Sequence, residues 1–245
     1  LLRPQVTSED VRPPEMLFGY LIGPFGALLA SGIFTSQLQN YLTNVLKLDL
    51  GFLTTLQLLS TILIVAANLV VGQLIERTRT LAGKARPWIL LSALTLSVAS
   101  VLMFIVPFAD RTARMVWIAI AYNAYYAVGF PIYNTANSTL VPVSTRNSKQ
   151  RSTLASLTNI ASLGVMGVGS MIFPTLVSMA LKEDQHLWFV AMLGVAIFTA
   201  LTILLQFRFT RERVTEESAG AEKAEKSSAS LGEQVKAVTS EKSWW

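Results

Sequence analysis

The chain of 245 residues is 52% hydrophobic and only 14% charged, whereas about a quarter of the residues of a soluble domain are charged. This composition excludes an ordinary soluble domain and indicates a membrane protein. The net charge of +5 comes mainly from short loops between apolar stretches, so we expect a lipid bilayer and no nucleic acid as its partner. The chain contains no cysteine, which excludes disulfides and thiolate metal sites.

Six uncharged intervals follow one another, each long enough to cross about 30 Å of hydrocarbon as a helix. They are 16–46, 50–75, 87–109, 115–145, 152–181 and 187–207. Because lipid offers the backbone no hydrogen-bond partner, each interval is predicted to be a transmembrane helix. The sequence predicts an all-α membrane protein with a six-helix transmembrane domain over 16–210 and a cytoplasmic segment over 1–15.

The basic residues of the short loops predict the orientation of the helices. Seven of them lie in the loops after the second and fourth intervals: Arg77, Arg79, Lys84, Arg86, Arg146, Lys149 and Arg151. The other loops hold fewer, so these two are expected to be cytoplasmic, with both termini on the same side. We therefore expect a multi-pass protein of the cytoplasmic membrane.

The composition changes after the sixth interval. Residues 211–245 are rich in Glu, Ala, Ser and Lys, which is typical of a cytoplasmic linker. Ser230 and Glu233 form a weak capping box, which predicts a short helix at the membrane surface ending in Trp244 and Trp245. A flexible tail without a surface helix is the alternative.

Glycine and proline interrupt the first and fourth helices in a similar way. The first contains Gly19, Gly23, Pro24 and Gly26, and the fourth contains Gly129 and Pro131. Such interruptions in corresponding helices are typical of transporters built from a 3+3 inverted repeat. Glycine and proline also serve close packing in membrane helices, so both interpretations stay open.

Uncharged polar residues recur at helical spacing on three of the predicted helices. From them we select eight candidate substrate-binding residues: Asn40, Gln57, Asn68, Tyr122, Tyr126, Tyr133, Asn134 and Asn137. Such faces suit a cavity that bonds hydroxyl groups and stacks sugar rings on aromatic side chains. The alternative is that these residues make hydrogen bonds between helices.

The loop from Gly72 to Trp88 combines basic residues with a regular spacing of glycine, glutamate and proline. Its candidate gate residues are Gly72, Glu76, Arg77, Arg79, Gly83, Lys84 and Arg86. Gly72 is expected to allow close approach of a neighbouring helix, and Gly83 to permit the turn into the third helix. We expect this loop to form a cytoplasmic gate held by ion pairs.

The loop resembles that of a known family. The pattern Gly72-x-Leu74-x-Glu76-Arg77 is similar to the cytoplasmic motif of major facilitator transporters, with Glu in place of Asp. The extension to Trp88 resembles the glycoside-pentoside-hexuronide:cation symporters of the melibiose-permease group. The resemblance covers roughly 17–207 and implies one half of a twelve-helix protein, completed by a carboxyl-terminal half or by a second copy.

The chain departs from this family at charged positions. The cation-binding acids of the second helix align with Ile64 and Asn68, and the acid of the fourth helix aligns with Asn134. The sugar-binding acid aligns with Leu28, and the stacking tryptophan with Ser138. An asparagine cannot change charge with pH, so this half offers no evident Na⁺ or H⁺ site, and no other cofactor or metal is expected.

The resemblance and the polar faces together predict a secondary transporter that moves a neutral sugar or glycoside by alternating access. The alternatives are a non-transporting membrane receptor or scaffold, and a transporter of a different solute on the same fold. An enzyme is not expected, because the single histidine, His186, lies in a loop and no nucleophile has a partner base.

Overall fold

The computed structural model describes residues 10–181 and 184–214, and these form six helices with no strand among them. The helices are α1 Pro13–Val45, α2 Leu50–Arg77, α3 Arg86–Leu102, α4 Arg111–Ser144, α5 Ser148–Leu181 and α6 Gln185–Phe209. Five of them are long and apolar enough to cross a membrane, and α3 is a shorter apolar helix. The predicted all-α fold is confirmed, while the count of six spans and the 3+3 repeat stay predictions. The predicted surface helix and nearly all of the linker lie outside the described residues.

Four helices begin at a side-chain cap. The residue before each helix accepts a hydrogen bond from a backbone N–H of the first turn, which has no partner within the helix. These caps are Asp49, Asp110, Asn147 and Asp184.

The third helix is shorter than the sequence predicted. It ends at Leu102 instead of continuing to 109, and Pro107 lies in the non-helical segment that follows. Proline has no N–H group and disfavours a helical conformation of the residue before it, which favours the non-helical segment here. Trp117 of α4 holds this segment, because its ring N–H lies 3.1 Å from the Leu102 carbonyl and 2.6 Å from that of Ile105.

Two prolines in long helices follow stretches of π-helix. Met16–Ile22 precedes Pro24 in α1, and Ala124–Gly129 precedes Pro131 in α4. A π turn closes from residue i to i+5, so it takes one residue more than an α turn and rotates the following residues around the helix. Faces drawn on a regular helical wheel therefore do not continue across these stretches.

Helix α1 lies against α5 and α6, while α3 packs on α4 and α6 and α2 packs on α4. The contact of α1 with α6 is close at Gly26, whose N–H donates to Thr202 Oγ1 at 3.1 Å and whose carbonyl accepts from Thr199 Oγ1 at 3.0 Å. Among the described residues no helix makes the close approach expected at Gly72, because no atom would lie within 4 Å of a Cβ there.

Buried aromatic rings pack where α1, α3 and α6 meet. The Trp188 ring centre lies 5.2 Å from that of Tyr41 and 6.1 Å from that of Phe104. All three side chains are buried. This cluster lies at the end of the bundle opposite the loop that joins α2 to α3, and it fixes α1 against its neighbours.

Candidate functional site

The two candidate residues on α2 lie on the surface of the bundle. Gln57 and Asn68 are exposed, and the Asn68 amide donates to the carbonyl of Ile64 at 2.8 Å. Both lie about 60° to 80° from Ser60, which is on the buried stripe of this helix. They therefore flank the face of α2 that packs on α4.

The candidate residues in the second part of α4 divide between two faces. Tyr133 and Asn137 are buried and both bond the side chain of Gln206 on α6. The Tyr133 hydroxyl donates to Gln206 Oε1 at 3.3 Å, and Gln206 Nε2 donates to Asn137 Oδ1 at 2.7 Å. Asn134 is exposed, as is Ser138 on the same side of the helix. Of these four α4 side chains, only the exposed pair is open to a solute.

Tyr122 and Tyr126 lie closer to the other end of α4. Their ring centres are 4.5 Å apart, and the Tyr126 ring lies 6.4 Å from that of Phe34 on α1. The helical spacing predicted that Tyr122, Tyr126, Tyr133 and Asn137 share one face of α4. The π turns of Ala124–Gly129 break that face, so Tyr126 adjoins α1 while Tyr133 and Asn137 adjoin α6.

Asn40 of α1 does not join the other candidates. Its side chain accepts from Asn44 and donates to Gln37 at 3.2 Å. It lies about 40° around the helix from Gly26, the residue that contacts α6. Thr35 and Gln39, which lie on the other side of α1, are exposed.

The turn from the loop into α3 is held by a carboxylate that the sequence analysis missed. Glu212 is only 4% exposed, and it accepts hydrogen bonds from three consecutive backbone N–H groups. The distances are 2.7 Å from Lys84, 2.9 Å from Ala85 and 2.9 Å from Arg86. A negative charge at the amino end of a helix is also stabilised by the helix dipole.

The absence of a side chain at Gly83 leaves room for the Glu212 carboxylate. The φ of Gly83 is 110°, in the region that favours glycine. A Cβ at position 83 would overlap the carboxylate of Glu212. The predicted role of Gly83 in the turn is confirmed, and the structure adds the close approach of Glu212.

Arg86 is buried, although the sequence assigned it to a charged gate. Its guanidinium donates to the carbonyls of Ala82 at 3.2 Å and Phe207 at 3.0 Å, and it lies 4.6 Å from the centre of the Phe207 ring. The two carbonyl oxygens and the face of the Phe207 ring replace part of the water that the guanidinium loses on burial. Arg86 therefore connects the start of α3 to the end of α6.

Arg213 connects three further chain segments. Its guanidinium forms an ion pair with Glu15 at 2.8 Å, and both side chains are largely buried. Its backbone N–H donates to the carbonyl of Val143 at 3.0 Å. The start of α1 and the ends of α4 and α6 are thus joined beside the loop, and we call this end of the bundle the basic end.

The remaining gate candidates lie on the surface of the basic end. Glu76, Arg77 and Arg79 are exposed, and Lys84 is half-buried. Burial lowers the pKa of the nearby Arg211 guanidinium, and the charge of Glu15 opposes this shift. A guanidinium stays protonated at physiological pH in any case, so the basic end keeps its positive charge.

The sequence did contain a signal for the missed residues. Glu212 and Arg213 follow directly after the last apolar interval, at the end where the basic loops were expected. Acidic and basic side chains at the same end of a membrane domain can form ion pairs and hydrogen bonds. Gln206 gave a weaker signal, as an amide within an otherwise apolar stretch.

The sequence of this chain matches one family along most of its length. A profile described as "MFS/sugar transport protein" matches residues 19–245. The chain belongs to this family. Its members are transporters, which confirms that the chain is not an enzyme, and the family together with the apolar helices supports a multi-pass membrane protein.

Individual relatives agree with this assignment. The chain is 26% identical to the Isoprimeverose transporter of Lactiplantibacillus pentosus, over 85% of this chain and 44% of the relative. It is 25% identical to the Inner membrane symporter YicJ of Escherichia coli (strain K12), over 84% of this chain and 45% of the relative. The chain thus spans less than half the length of the relatives it matches.

Proposed function

We propose that this chain is the amino-terminal six-helix half of a secondary transporter, which moves a neutral sugar or glycoside across the cytoplasmic membrane by alternating access. In this proposal the two halves rock about a central path, and the missing half is a carboxyl-terminal domain or a second copy. The similar positions of π-helix and proline in α1 and α4 support a 3+3 repeat within the half.

The proposal of a neutral substrate rests on the uncharged polar side chains of α2 and α4. Within the apolar intervals 50–75 and 115–145 of α2 and α4, the exposed polar side chains are amides and hydroxyls, and no charged residue lies within any of the six apolar intervals. Gln57, Asn68 and Asn134 can donate and accept hydrogen bonds, as sugar hydroxyls require. A charged solute would find no counter-charge within these apolar intervals, so a neutral one is favoured.

Tyr126 completes the proposed path, because its half-buried ring lies beside Phe34 of α1 and its face suits contact with a sugar ring. Tyr122 is buried and packs on Tyr126, so in this proposal it supports that ring. Tyr133, Asn137 and Asn40 hold the helices in place in this proposal and do not touch the solute. Because Asn68 and Asn134 do not titrate, we propose that this half carries no coupling proton.

The basic end is the proposed gate. Glu76, Arg77 and Arg79 are exposed on the surface that another domain would meet, while Gly83, Lys84 and Arg86 are fixed by Glu212 and Phe207. We infer that the exposed group changes partners during transport and that the buried group keeps the loop rigid. Gly72, with open space around it, would allow another helix to approach α2.

The test is uptake by the full-length protein in proteoliposomes, with a panel of neutral pentoses, hexoses and disaccharides. Each sugar is offered with a sodium gradient, with a pH gradient and with no gradient. We expect saturable uptake of at least one neutral sugar, lowered in an Asn134→Ala variant. Uptake of a charged solute with none of any neutral sugar would refute the substrate claim, and binding without counterflow would favour a receptor.

A further inference from the structure

A polar cleft opens at the end of the bundle opposite the basic end. It has a volume of about 800 Å³, within the range of roughly 300–1,000 Å³ that is usual for small-molecule sites. It lies between the end of α1, the start of α2 and the start of α4. The polar side chains that line it are Gln39, Thr43, Lys47, Asp49, Arg111 and Arg114. We call it the Gln39 cleft.

The floor of the Gln39 cleft is fixed by the backbone that joins α1 to α2. Lys47 has a φ of 54°, in the left-handed region that a lysine rarely occupies. Leu46 and Leu48 on either side are buried, and the Leu48 N–H donates to the carbonyl of Leu42 at 3.0 Å. An uncommon backbone conformation persists only where its surroundings determine it, and such positions concentrate at functional sites.

Arg114 ties this floor to α4. Its guanidinium donates to the carbonyl of Leu46 at 3.0 Å and to that of Ala109 at 3.4 Å. Two of the three guanidinium nitrogens of Arg114 are thus bonded within the protein. Its role is to hold the two sides of the cleft at a set distance.

Other polar groups in the cleft are available to a ligand. Among the described residues, the Gln39 amide and the Arg111 guanidinium make no hydrogen bond, and both side chains are exposed. Asp49 accepts one bond, from the N–H of Phe52 at 3.3 Å, which leaves further acceptor positions on its carboxylate. The cleft therefore offers an amide, a carboxylate and a guanidinium together.

This mixture fits a polyol better than an anion. A sugar hydroxyl both donates and accepts, so it uses the acceptors of Asp49 and Gln39 as well as the donors of Arg111. An anion has no proton to give to Asp49 and is repelled by it. The cleft thus differs from a simple cationic patch, although Lys47 and Arg114 add positive charge around it.

A row of polar side chains leads from the cleft along α1. Ser31, Thr35 and Gln39 follow one another at a spacing of four residues, which keeps them on one side of α1. Thr35 lies about 180° around the helix from Gly26, the residue that contacts α6. A sugar leaving the cleft would meet hydroxyl groups along this side.

We propose that the Gln39 cleft is an outer sugar-binding site, in which ring hydroxyls bond Gln39, Asp49 and Arg111 before the sugar enters the central path. This inference rests on the proposed function, since it takes the transported solute to be a neutral sugar. The cleft sets the affinity with which a sugar is captured, whereas Asn134 and Asn68 act further along the path.

The test is steady-state uptake by the full-length protein in proteoliposomes, using the neutral sugar that the wild type transports best. We expect Gln39→Ala and Arg111→Ala each to raise KM about fivefold, as the loss of one hydrogen bond predicts, with the maximal rate nearly unchanged. Arg111→Lys, which keeps a charged donor, should recover part of the affinity. Thr112→Ala is the matched control, because Thr112 is exposed beside Arg111 but does not line the cleft.

The outcomes separate this inference from the proposed function. Uptake by the wild type with an unchanged KM in Gln39→Ala and Arg111→Ala would overturn the outer site alone. The same holds if glucuronate competes better than the neutral sugar and loses that advantage in Arg111→Ala, since the cleft would then bind anions. No uptake of any neutral sugar by the wild type would overturn both. Thermal unfolding of each variant confirms that it is folded.

Discussion

Gly83 and Glu212 fit together because Gly83 has no side chain. The Glu212 carboxylate lies where a Cβ on residue 83 would be, and from there it accepts three backbone N–H groups at the start of α3. The two residues are far apart in the chain: Gly83 leaves the space, and Glu212 fills it with a carboxylate that caps α3. Together they make the loop from α2 to α3 a fixed part of the basic end.

We expect Gly83→Ala to destabilise the protein. A left-handed backbone costs a residue with a side chain about 1–2 kcal/mol, and displacing the buried carboxylate adds to this cost. The measurement is thermal unfolding in detergent. Gly164→Ala is the control, since φ is ordinary and no atom would lie within 4 Å of its Cβ. Equal stability of Gly83→Ala and the wild type would show that Glu212 does not occupy this position.

Glu212→Gln should lower stability even though it keeps the size of the side chain. The amide retains one acceptor oxygen and brings an N–H₂ group towards backbone donors, so at least one charge-assisted bond is lost, worth roughly 1–3 kcal/mol. Thermal unfolding measures the effect. Glu76→Gln is the matched control, because Glu76 is exposed at the end of α2 and should leave the midpoint unchanged. A similar small effect in both variants would contradict the capping role.

Glu15 and Arg213 should be coupled in a double-mutant cycle. Their side chains are 14% and 6% exposed, and an ion pair shielded from water interacts more strongly than one on the surface. We expect Glu15→Ala and Arg213→Ala to be non-additive by about 1–2 kcal/mol in the free energy of unfolding. Additive effects would mean that Arg213 acts through its other contacts, such as the Ser144 carbonyl.

Gln206→Leu and Asn134→Ala should have opposite consequences. Gln206→Leu leaves Asn137 and Tyr133 without their buried partner, so we expect a loss of about 1–3 kcal/mol in the free energy of unfolding. Asn134→Ala removes an exposed side chain, so the stability should change by less than about 0.5 kcal/mol while sugar uptake falls. The pair is measured by thermal unfolding and by uptake. Loss of stability in Asn134→Ala alone would reverse the assignment of the two faces of α4.

The sequence predicted the long helices well, because an uncharged stretch between charged loops has few ways to satisfy its backbone in lipid. The end of α3 was less predictable. Residues up to 109 are apolar, yet the helix ends at Leu102. Pro107 follows in the non-helical segment, and the ring N–H of Trp117 on α4 donates to the Leu102 carbonyl. A contact between helices thus takes part in a boundary that composition alone does not reveal.

The substrate roles of the candidate residues stay predictions. Gln57, Asn68 and Asn134 lie on the surface, whereas Asn137 lies in a helix contact. The single face drawn through α4 assumed a regular helix, and the π turns of Ala124–Gly129 make that assumption wrong. The role of Glu212 was not predicted because its partners are backbone N–H groups, which every residue except proline has, so the sequence does not mark them.

The most direct test of the account is counterflow of a labelled neutral sugar by the full-length protein in proteoliposomes. Vesicles loaded with the unlabelled sugar need no ion gradient, so counterflow reports alternating access itself. We predict a transient accumulation of the labelled sugar inside the vesicles, strongly reduced in Asn134→Ala but retained in Thr112→Ala. Folded wild-type protein that accumulates none of the neutral sugars, but exchanges a charged solute, would contradict the central claim.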